Sequence, residues 1–239
     1  MTLKDLEQRA NNGDIQALMI LIDGYHGGLY GLPKDDQKTL HWCEIGNAFE
    51  INDITRRLAS CYAMGFGINQ DLPKAMEYFK QAALRGDLIA MKCLASNYRH
   101  GGNGLKADYQ LALTWYLKAA EAGDSEAMCE MGIAFTDGAM VTPDYEKAVC
   151  WFERSVDAGN INALCNLASC YFKGHGVKQN FSKAVELYRR GAERGDALAI
   201  CNLAACYFYG YGVEIDKAYA QQLAEKSVLL GFEPARRFL

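Results

Sequence analysis

The sequence has few prolines, no long apolar run and no excess of basic residues. Of its 239 residues only 4 are proline, whereas 23 are glycine. This balance favours many helices separated by short glycine turns over long irregular loops. Lys and Arg together number 25 against 29 Asp and Glu, which gives a formal net charge of −4. Because nucleic-acid-binding domains cluster basic residues, we expect no nucleic-acid partner.

Segments that direct a protein to a membrane are also missing from the sequence. No stretch approaches the ~20 consecutive apolar residues of a transmembrane helix. The first residues, MTLKDLEQRANNGD, lack the basic and then apolar regions of a signal peptide. The sequence as it stands therefore predicts a cytoplasmic protein with no membrane span, or an exported, periplasmic one if a signal peptide has been removed.

The short motifs of common catalytic and metal sites are missing as well. No HExxH, GxxxxGK[ST], GxSxG or EF-hand loop occurs. The four histidines lie at unrelated positions along the chain, which are His26, His41, His100 and His175. We therefore expect no catalytic residue, no metal site, no cofactor and no enzymatic activity.

The sequence does contain an internal repeat of 36 or 37 residues. Segments 86–101, 159–174 and 195–210 each begin with Gly and place Ala at +4, an apolar residue at +8 and a small residue at +9. An aromatic residue follows at +12 and Gly at +15. The same first position recurs at Gly13, Glu50, Gly86, Gly123, Gly159, Gly195 and Gly231. The predicted repeats are 13–49, 50–85, 86–122, 123–158, 159–194 and 195–230, with half-repeats at 1–12 and 231–239.

Each repeat is predicted to form two helices joined by a glycine turn. Apolar residues in both halves of a repeat are three or four apart, which is helical spacing. The Gly-x-Gly pairs between the halves, such as Gly174 and Gly176, suit a left-handed helix end rather than a phosphate-binding loop. The Asp or Asn that follows can cap the second helix. We expect an all-α protein with about twelve helices of roughly 10–15 residues.

These residues resemble the Sel-one-like repeat (SLR) family, a relative of the tetratricopeptide repeat. The resemblance rests on the Ala, Leu, small residue and Tyr series, the Gly-x-Gly-Val turn and the Asp-x-x-Lys-Ala start of the second helix. It covers nearly the whole chain in six repeats. It implies a right-handed α-solenoid forming a single domain over residues 1–239, with a concave wall lined by the first helices.

Two repeat positions are predicted to build the core. Small residues at +9 allow close helix approach, at Ala59, Ala95, Gly132, Ala168 and Ala204. Aromatic rings at +12 are predicted to fill the space between hairpins, at Tyr25, Tyr62, Tyr98, Phe135, Tyr171 and Tyr207.

The nine cysteines are predicted to be free thiols. In cysteine-rich bacterial SLR proteins a disulfide clamps each repeat, but here the clamp positions hold Ala83, Ala120, Val156 and Ala192. Equivalent residues of stacked hairpins should lie about 10 Å apart. A disulfide needs Cα atoms within ~7 Å. Free thiols favour a reducing compartment.

The resemblance also suggests which residues face a partner. Mapping from the tetratricopeptide repeat places positions +3, +6, +10, +13 and +14 on the concave wall, which is charged in the early repeats and apolar in the later ones. An alternative interpretation of the charged set is that its side chains simply face water. The alternative for the apolar set is burial against the next helix or against a missing C-terminal cap. The candidate partner-binding residues are Arg56, Lys92, Arg99, Cys129, Ile133, Cys165, Phe172, Cys201, Phe208 and Tyr209. Because the seventh repeat is incomplete, we expect a peptide or a second copy of the chain to dock at the C-terminal end.

The function these features favour is a bacterial, non-catalytic scaffold that binds a protein or extended peptide. One alternative implied by the resemblance is an exported bacterial SLR protein that contacts host or envelope partners. Another is an enzyme that binds or hydrolyses β-lactams, as associated with cysteine-rich relatives. The S-x-x-K, S-D-N and K-T-G motifs of a serine acylation centre do not occur here.

Overall fold

The computed structural model describes residues 2–102 and 104–239. The regular structure of these residues is entirely helical, which confirms the predicted all-α fold of stacked helix pairs. The chain divides into two compact units, the first ending at Ala122 and the second spanning Gly123–Leu239.

In the first unit, sequential helices pack against one another as stacked hairpins. Its helices are α1 (Leu3–Asn11), α2 (Ile15–Gly27), α3 (Asp36–Asn47), α4 (Asn52–Met64), α5 (Leu72–Leu84), α6 (Leu88–His100) and α7 (Tyr109–Glu121). Helix α1 lies in the leading half-repeat, and the other six fall two to each predicted repeat.

The second unit is built in the same way. Its α-helices are α8 (Ser125–Asp137), α9 (Tyr145–Asp157), α10 (Ile161–Lys173), α11 (Phe181–Glu193), α12 (Ala197–Tyr209) and α13 (Lys217–Leu229). A 3-10 helix over Glu233–Phe238 follows and packs against α12 and α13.

Caps at both ends of the hairpins explain where the helices begin and end. The second helix of every repeat has an Asp or Asn at its N-cap, as in Asp71 and Asn180, whose side chain accepts a hydrogen bond from the backbone N–H three residues later. Each first helix ends at a glycine in the left-handed conformation, such as Gly174 with φ of 74°. The predicted turn and capping residues are therefore confirmed.

Glu50 is the exception among the repeat anchors. The anchor glycines have positive φ, and Glu50 adopts the same left-handed conformation with φ of 57°. Ile51, which follows it, is also the only N-cap among α2–α13 without a side-chain hydrogen bond. The second repeat therefore keeps the turn geometry of its neighbours although its residue types do not favour it.

A Glu50→Gly substitution should stabilise the protein by about 1 kcal/mol, since glycine removes most of the left-handed strain of a side-chain-bearing residue. The measurement is urea denaturation followed by circular dichroism. A Glu7→Gly variant, in the regular helix α1, is the control and should lose stability. Unchanged or lower stability of Glu50→Gly would contradict the strain assigned to this turn.

The second glycine of each Gly-x-Gly turn brings neighbouring repeats into contact. A Cβ atom built on Gly176 would lie 2.2 Å from the backbone oxygen of Tyr145, and one on Gly212 would lie 2.5 Å from the backbone carbon of Phe181. Gly67 stands in the same relation to Asp36, at 2.3 Å. These turns therefore rest directly on the first residue of the preceding repeat's second helix, where no side chain fits.

The predicted small residues at +9 lie in the core. Ala59, Ala95, Ala168 and Ala204 are fully buried. Gly132 occupies the same position in α8, and a Cβ atom there would lie 2.5 Å from the ring of Phe152. The missing side chain at residue 132 therefore makes room for this buried phenylalanine.

The +12 aromatics are buried as predicted in the first two repeats and less deeply buried in the others, where Phe135, Tyr171 and Tyr207 still pack against the core. Tyr25 and Tyr62 are buried, whereas the rings at Tyr98, Phe135, Tyr171 and Tyr207 are half-buried. The hydroxyl of Tyr171 lies 3.4 Å from the Glu153 carboxylate on the exposed side of α9. A tyrosine at the edge of a hairpin keeps its hydroxyl in water, so smaller residues fill the deeper space.

Candidate functional site

The charged candidate Arg56 belongs to an ion network in the first unit. Its guanidinium pairs with Asp53 and lies 3.4 Å from Asp87, the N-cap of α6. Arg57 bonds to Asp53 at 2.9 Å and to Asp23 of α2 at 2.5 Å. Two guanidinium groups thus face three carboxylates, so the network links three first helices and leaves no excess positive charge for an anionic ligand.

A cavity of about 200 Å³ opens beside this network. Its walls combine thiols, hydroxyls, cations and apolar side chains, from Ile22, His26, Thr39, Cys43, Arg56, Arg57, Ser60, Cys61 and Phe66. Arg56 and Ser60 are residues that the resemblance places on the concave wall. The cavity is therefore lined on one side by positions predicted to face the concave wall and on the other by buried residues of α3 and α4.

Cys43 and Cys61 both line this cavity. They lie on α3 and α4 and are buried. The neighbouring Cys61 thiol, together with burial, raises the pKa of Cys43. The repeat pattern did not indicate that they share a cavity, because one cysteine is in a second helix and the other in a first helix.

The other two charged candidates lie on α6. Lys92 and Arg99 are half-buried. They are not brought to the Arg56 cavity, since neither contributes to its walls.

The three candidate cysteines of the second unit are buried. Cys129, Cys165 and Cys201 expose 5%, 6% and 1% of their surface. Asn166 donates to the Cys129 sulfur at 3.5 Å, and Asn202 donates to the Cys165 sulfur at 3.4 Å. The thiols of Cys129 and Cys165 thus contact the first helix of the next repeat instead of offering themselves to a partner.

Burial also keeps these thiols protonated. Removal from water raises the pKa of Cys129 to about 11 and that of Cys165 to about 12. Neither is therefore an activated nucleophile at neutral pH.

Six aromatic rings form one continuous cluster in the second unit. This aromatic cluster consists of Phe172, Phe181, Phe208, Tyr209, Tyr211 and Phe238. The rings of Phe181 and Tyr211 stack at 5.3 Å, and those of Tyr209 and Tyr211 are 5.7 Å apart. Tyr209 and Tyr211 expose 55% and 38% of their surface, whereas Phe172 and Phe208 are half-buried. The structure thus brings three sequence candidates together and makes Tyr209 the most exposed of them.

The C-terminal segment partly covers the end that we expected to be open. Phe238 of the 3-10 helix is buried and packs against the rings of Phe208 and Tyr209, at 5.5 and 6.2 Å. Ala235 is fully buried beside it. The incomplete seventh repeat therefore acts as a partial cap, which the sequence analysis did not foresee. Ile133, the remaining candidate, is half-buried against the core of this unit.

Within residues 2–102 and 104–239, no group of three or more His, Cys, Asp or Glu side chains could hold a metal ion. Over the same residues, no helix has the length and apolar character needed to cross a membrane.

Comparison with protein families identifies the repeat. A family model described as the Sel1 repeat matches six segments, at residues 23–46, 55–87, 90–124, 125–160, 161–196 and 197–232. Together they cover most of the chain.

Two solved structures resemble the whole fold. One is a protective antigen of uropathogenic Escherichia coli with an SLR fold, at 30% identity and a TM-score of 0.90, covering 99% of this chain and 50% of that one. The other is a Sel1 repeat protein from Oxalobacter formigenes, at 27% identity and a TM-score of 0.79, covering 91% and 84%.

Among curated proteins, the chain is similar to the chitin synthase regulator SKT5 of Saccharomyces cerevisiae. The two are 30% identical over 134 residues, which is 54% of this chain and 19% of SKT5. An uncharacterized protein of Neisseria meningitidis is 28% identical over 166 residues, or 57% of this chain and 35% of that protein. The matches thus span about a fifth to a third of the length of these relatives.

Proposed function

Because the chain belongs to the Sel1 repeat family, a group of generally non-catalytic repeat proteins that bind other proteins, we propose that it is a bacterial scaffold that holds an extended segment of a partner. The observation that carries this proposal is the aromatic cluster, which leaves two tyrosines exposed on a base of four further rings. Rigid, exposed aromatic side chains supply contact area at a small entropic cost.

The chemistry of the cluster favours a partner segment with apolar or aromatic side chains. Tyr209 and Tyr211 are held by neighbouring rings, so little side-chain freedom is lost when a ligand covers them. Lys217 lies over the Phe208 ring at 5.2 Å and adds one cation at the edge. We propose that apolar side chains of the partner rest on the two tyrosines, and that the cation contacts an acidic group beside them.

The test is a Tyr209→Ser/Tyr211→Ser variant. Proteins captured from a lysate of the source organism by the unaltered chain are identified by mass spectrometry, and their affinity is then measured by calorimetry. We expect the variant to lose at least tenfold in affinity, since exposed aromatic residues at the centre of an interface each contribute about 1–2 kcal/mol or more.

A matched control is a Tyr30→Ser/Tyr109→Ser variant, which removes two exposed tyrosines from the first unit. It should bind as the unaltered chain does. Equal affinity of both variants would reject the aromatic cluster as the binding site. Phe172 and Phe208 are poor choices for this test because both pack against the core, so their loss would perturb the fold.

Self-association is the alternative outcome of this experiment. If the chain captures only itself and elutes as a dimer, and if the Tyr209→Ser/Tyr211→Ser variant elutes as a monomer, the partner is a second copy. We further propose that the protein is exported and contacts host or envelope proteins. This proposal is supported by the similarity to the Escherichia coli antigen.

A further inference from the structure

We propose that a second cavity, of about 240 Å³ between α8 and α10, binds the carboxylate of a glutamate side chain in the partner segment that lies on the aromatic cluster. The shared partner rests on the proposed function above, whereas the preference for a carboxylate follows from the walls of the cavity alone.

Polar groups from two helices and a turn converge on this cavity. They belong to Thr136 of α8, to Asn166, Ser169 and Lys173 of α10, and to His175 in the turn after α10. Asn166, Ser169 and Lys173 are three and four residues apart, so they lie on one face of the helix. None of the described residues that line the cavity is acidic. The cavity therefore offers hydrogen-bond donors and positive charge to an anion.

The ammonium group of Lys173 supplies the permanent charge of this cavity. In the cavity of the first unit, the guanidinium groups of Arg56 and Arg57 are both paired with carboxylates. Among the residues that the structure describes, Lys173 by contrast takes part in no ion pair. The Lys173 ammonium is therefore available to an anionic ligand, which the arginines of the first cavity are not.

Neutral donors and an acceptor complete the site. Asn166 donates one amide N–H to the Cys129 sulfur at 3.5 Å, which leaves its second amide N–H for a ligand. The Ser169 hydroxyl can rotate to donate to the same ligand. The Thr136 hydroxyl donates to the Ile133 carbonyl at 2.8 Å and keeps its lone pairs as acceptors. A carboxylate can thus bind beside α10 while a backbone N–H of the same peptide binds to Thr136.

The size and charge of the cavity favour a glutamate side chain over a phosphate. A water molecule occupies about 30 Å³, so the cavity holds about eight groups of that size, which is more than a glutamate side chain needs. The rings of Tyr145 and Phe152 give its methylene groups an apolar wall. A phosphate monoester carries a charge of about −1.5 to −2 at neutral pH. The single charge of a carboxylate is the better match for the single lysine.

The cavity and the aromatic cluster are successive versions of one site between repeats. Each contains the residue at +13 of one repeat and the residue at +16 of the next, which are Thr136 with His175 in the cavity and Phe172 with Tyr211 in the cluster. The rings of Phe172 and Tyr211 are 5.2 Å apart, so aromatic side chains fill there the space that stays open beside His175. Consecutive sites in the second unit thus change from polar to aromatic.

One short peptide segment can reach both sites. Phe172 of the cluster and Lys173 of the cavity are consecutive residues of α10. Packed helices lie about 10 Å apart, and an extended chain advances about 3.3 Å per residue. A glutamate in the cavity is therefore separated by about three residues from an apolar side chain that rests on Tyr209 and Tyr211.

The experiment measures the binding of labelled peptides to the full chain by fluorescence anisotropy. Glycine-rich peptides carry one phenylalanine and, at the spacing derived above on either side of it, glutamate, glutamine or phosphoserine. We expect the glutamate peptide to bind about tenfold more tightly than the glutamine peptide, which is the range of one charge-assisted hydrogen bond. Equal affinity of these two peptides, or tighter binding of the phosphoserine peptide, would overturn the proposal.

A pair of matched variants assigns the preference to the cavity. Lys173→Gln should abolish the preference for glutamate over glutamine. Lys178→Gln removes an exposed lysine of the following turn that does not line the cavity, and it should keep the preference. Circular dichroism checks that both variants fold. Loss of the preference in both variants would assign it to the overall charge of the protein and would reject the cavity as the site.

The Tyr209→Ser/Tyr211→Ser variant separates this proposal from the proposed function. It should weaken the glutamate and glutamine peptides by the same factor and leave the ratio of their affinities unchanged. If it has no effect while Lys173→Gln does, the cavity binds a carboxylate but the shared partner segment is rejected.

A smaller probe decides the case in which no peptide binds measurably. N-acetyl-glutamate N-methylamide is titrated at constant ionic strength and followed by NMR at the backbone amides of Ser169 and Lys173. We expect shifts at both amides that are absent with the glutamine analogue. No shift at these amides, or the same shift with both compounds, would overturn the carboxylate site.

Discussion

Replacing Gly176 or Gly212 with alanine should destabilise the protein by about 3–5 kcal/mol in urea denaturation. Left-handed backbone costs a side-chain-bearing residue about 1–2 kcal/mol. Overpacking adds another 1–3 kcal/mol or more. The overlap is severe here, because the new Cβ would lie 2.2–2.5 Å from backbone atoms at the start of α9 or α11.

The chain supplies a control with the same backbone conformation. Gly159 and Gly195 have φ of 90° and 83°, but a Cβ atom on either would meet nothing within 4 Å. Gly159→Ala and Gly195→Ala should therefore cost only the left-handed term of about 1–2 kcal/mol. If all four variants lost the same stability, the contact between repeats would contribute nothing beyond the backbone conformation.

Phe152→Ala should also cost about 3–5 kcal/mol, because it leaves a cavity the size of a phenyl ring between α8 and α9. Phe152 is 2% exposed. Tyr171→Ala, at the half-buried +12 position, should cost less than half as much, since its ring edge and hydroxyl are near water. Thermal and urea unfolding of the two variants measure the difference.

A double variant tests whether Gly132 and Phe152 are coupled. Gly132→Ala alone gains helix propensity but places its Cβ against the Phe152 ring. In Gly132→Ala/Phe152→Ala the ring is gone, so the alanine becomes favourable and the combined loss should be smaller than the sum of the single losses. Additive losses of stability would mean that residue 132 and the Phe152 ring are not energetically coupled.

The repeat pattern was sufficient to predict the helices, their caps and the small residues at +9. These features depend on a residue and its neighbours in the sequence, and they recur six times. The role of the second glycine in Gly-x-Gly was not predicted, because it is set by a backbone segment about 31 residues earlier in the preceding repeat. The left-handed end of the helix is enough to explain Gly174. The glycine at residue 176 is explained only by the backbone of Tyr145, which leaves no room for a side chain.

The candidate site was predicted less well for a related reason. Position +6 was assigned to the concave wall from a mapping along one helix, yet the next repeat buries Cys165 through Asn202. Phe238 lies in the incomplete repeat, where no pattern predicts a 3-10 helix that folds back on Tyr209. Cys43 and Cys61 line one cavity from positions that are not equivalent in the repeat, so a search for periodicity could not find this site.

The turn glycines also bear on how an array of this kind changes length. A Cβ atom on Gly104 would meet only the Leu72 side chain, at 3.8 Å, and Met140 stands in the fourth repeat where Gly176 stands in the fifth. Glycine is therefore demanded only where the turn reads Gly-x-Gly and rests on the start of the preceding helix, as at Gly67, Gly176 and Gly212. Duplication or loss of whole repeats preserves every pairing of turn and helix start, whereas a deletion that removes half a repeat does not. A repeat with a Gly-x-Gly turn should therefore be exchanged or copied as a unit, and larger residues should be excluded at these three glycines.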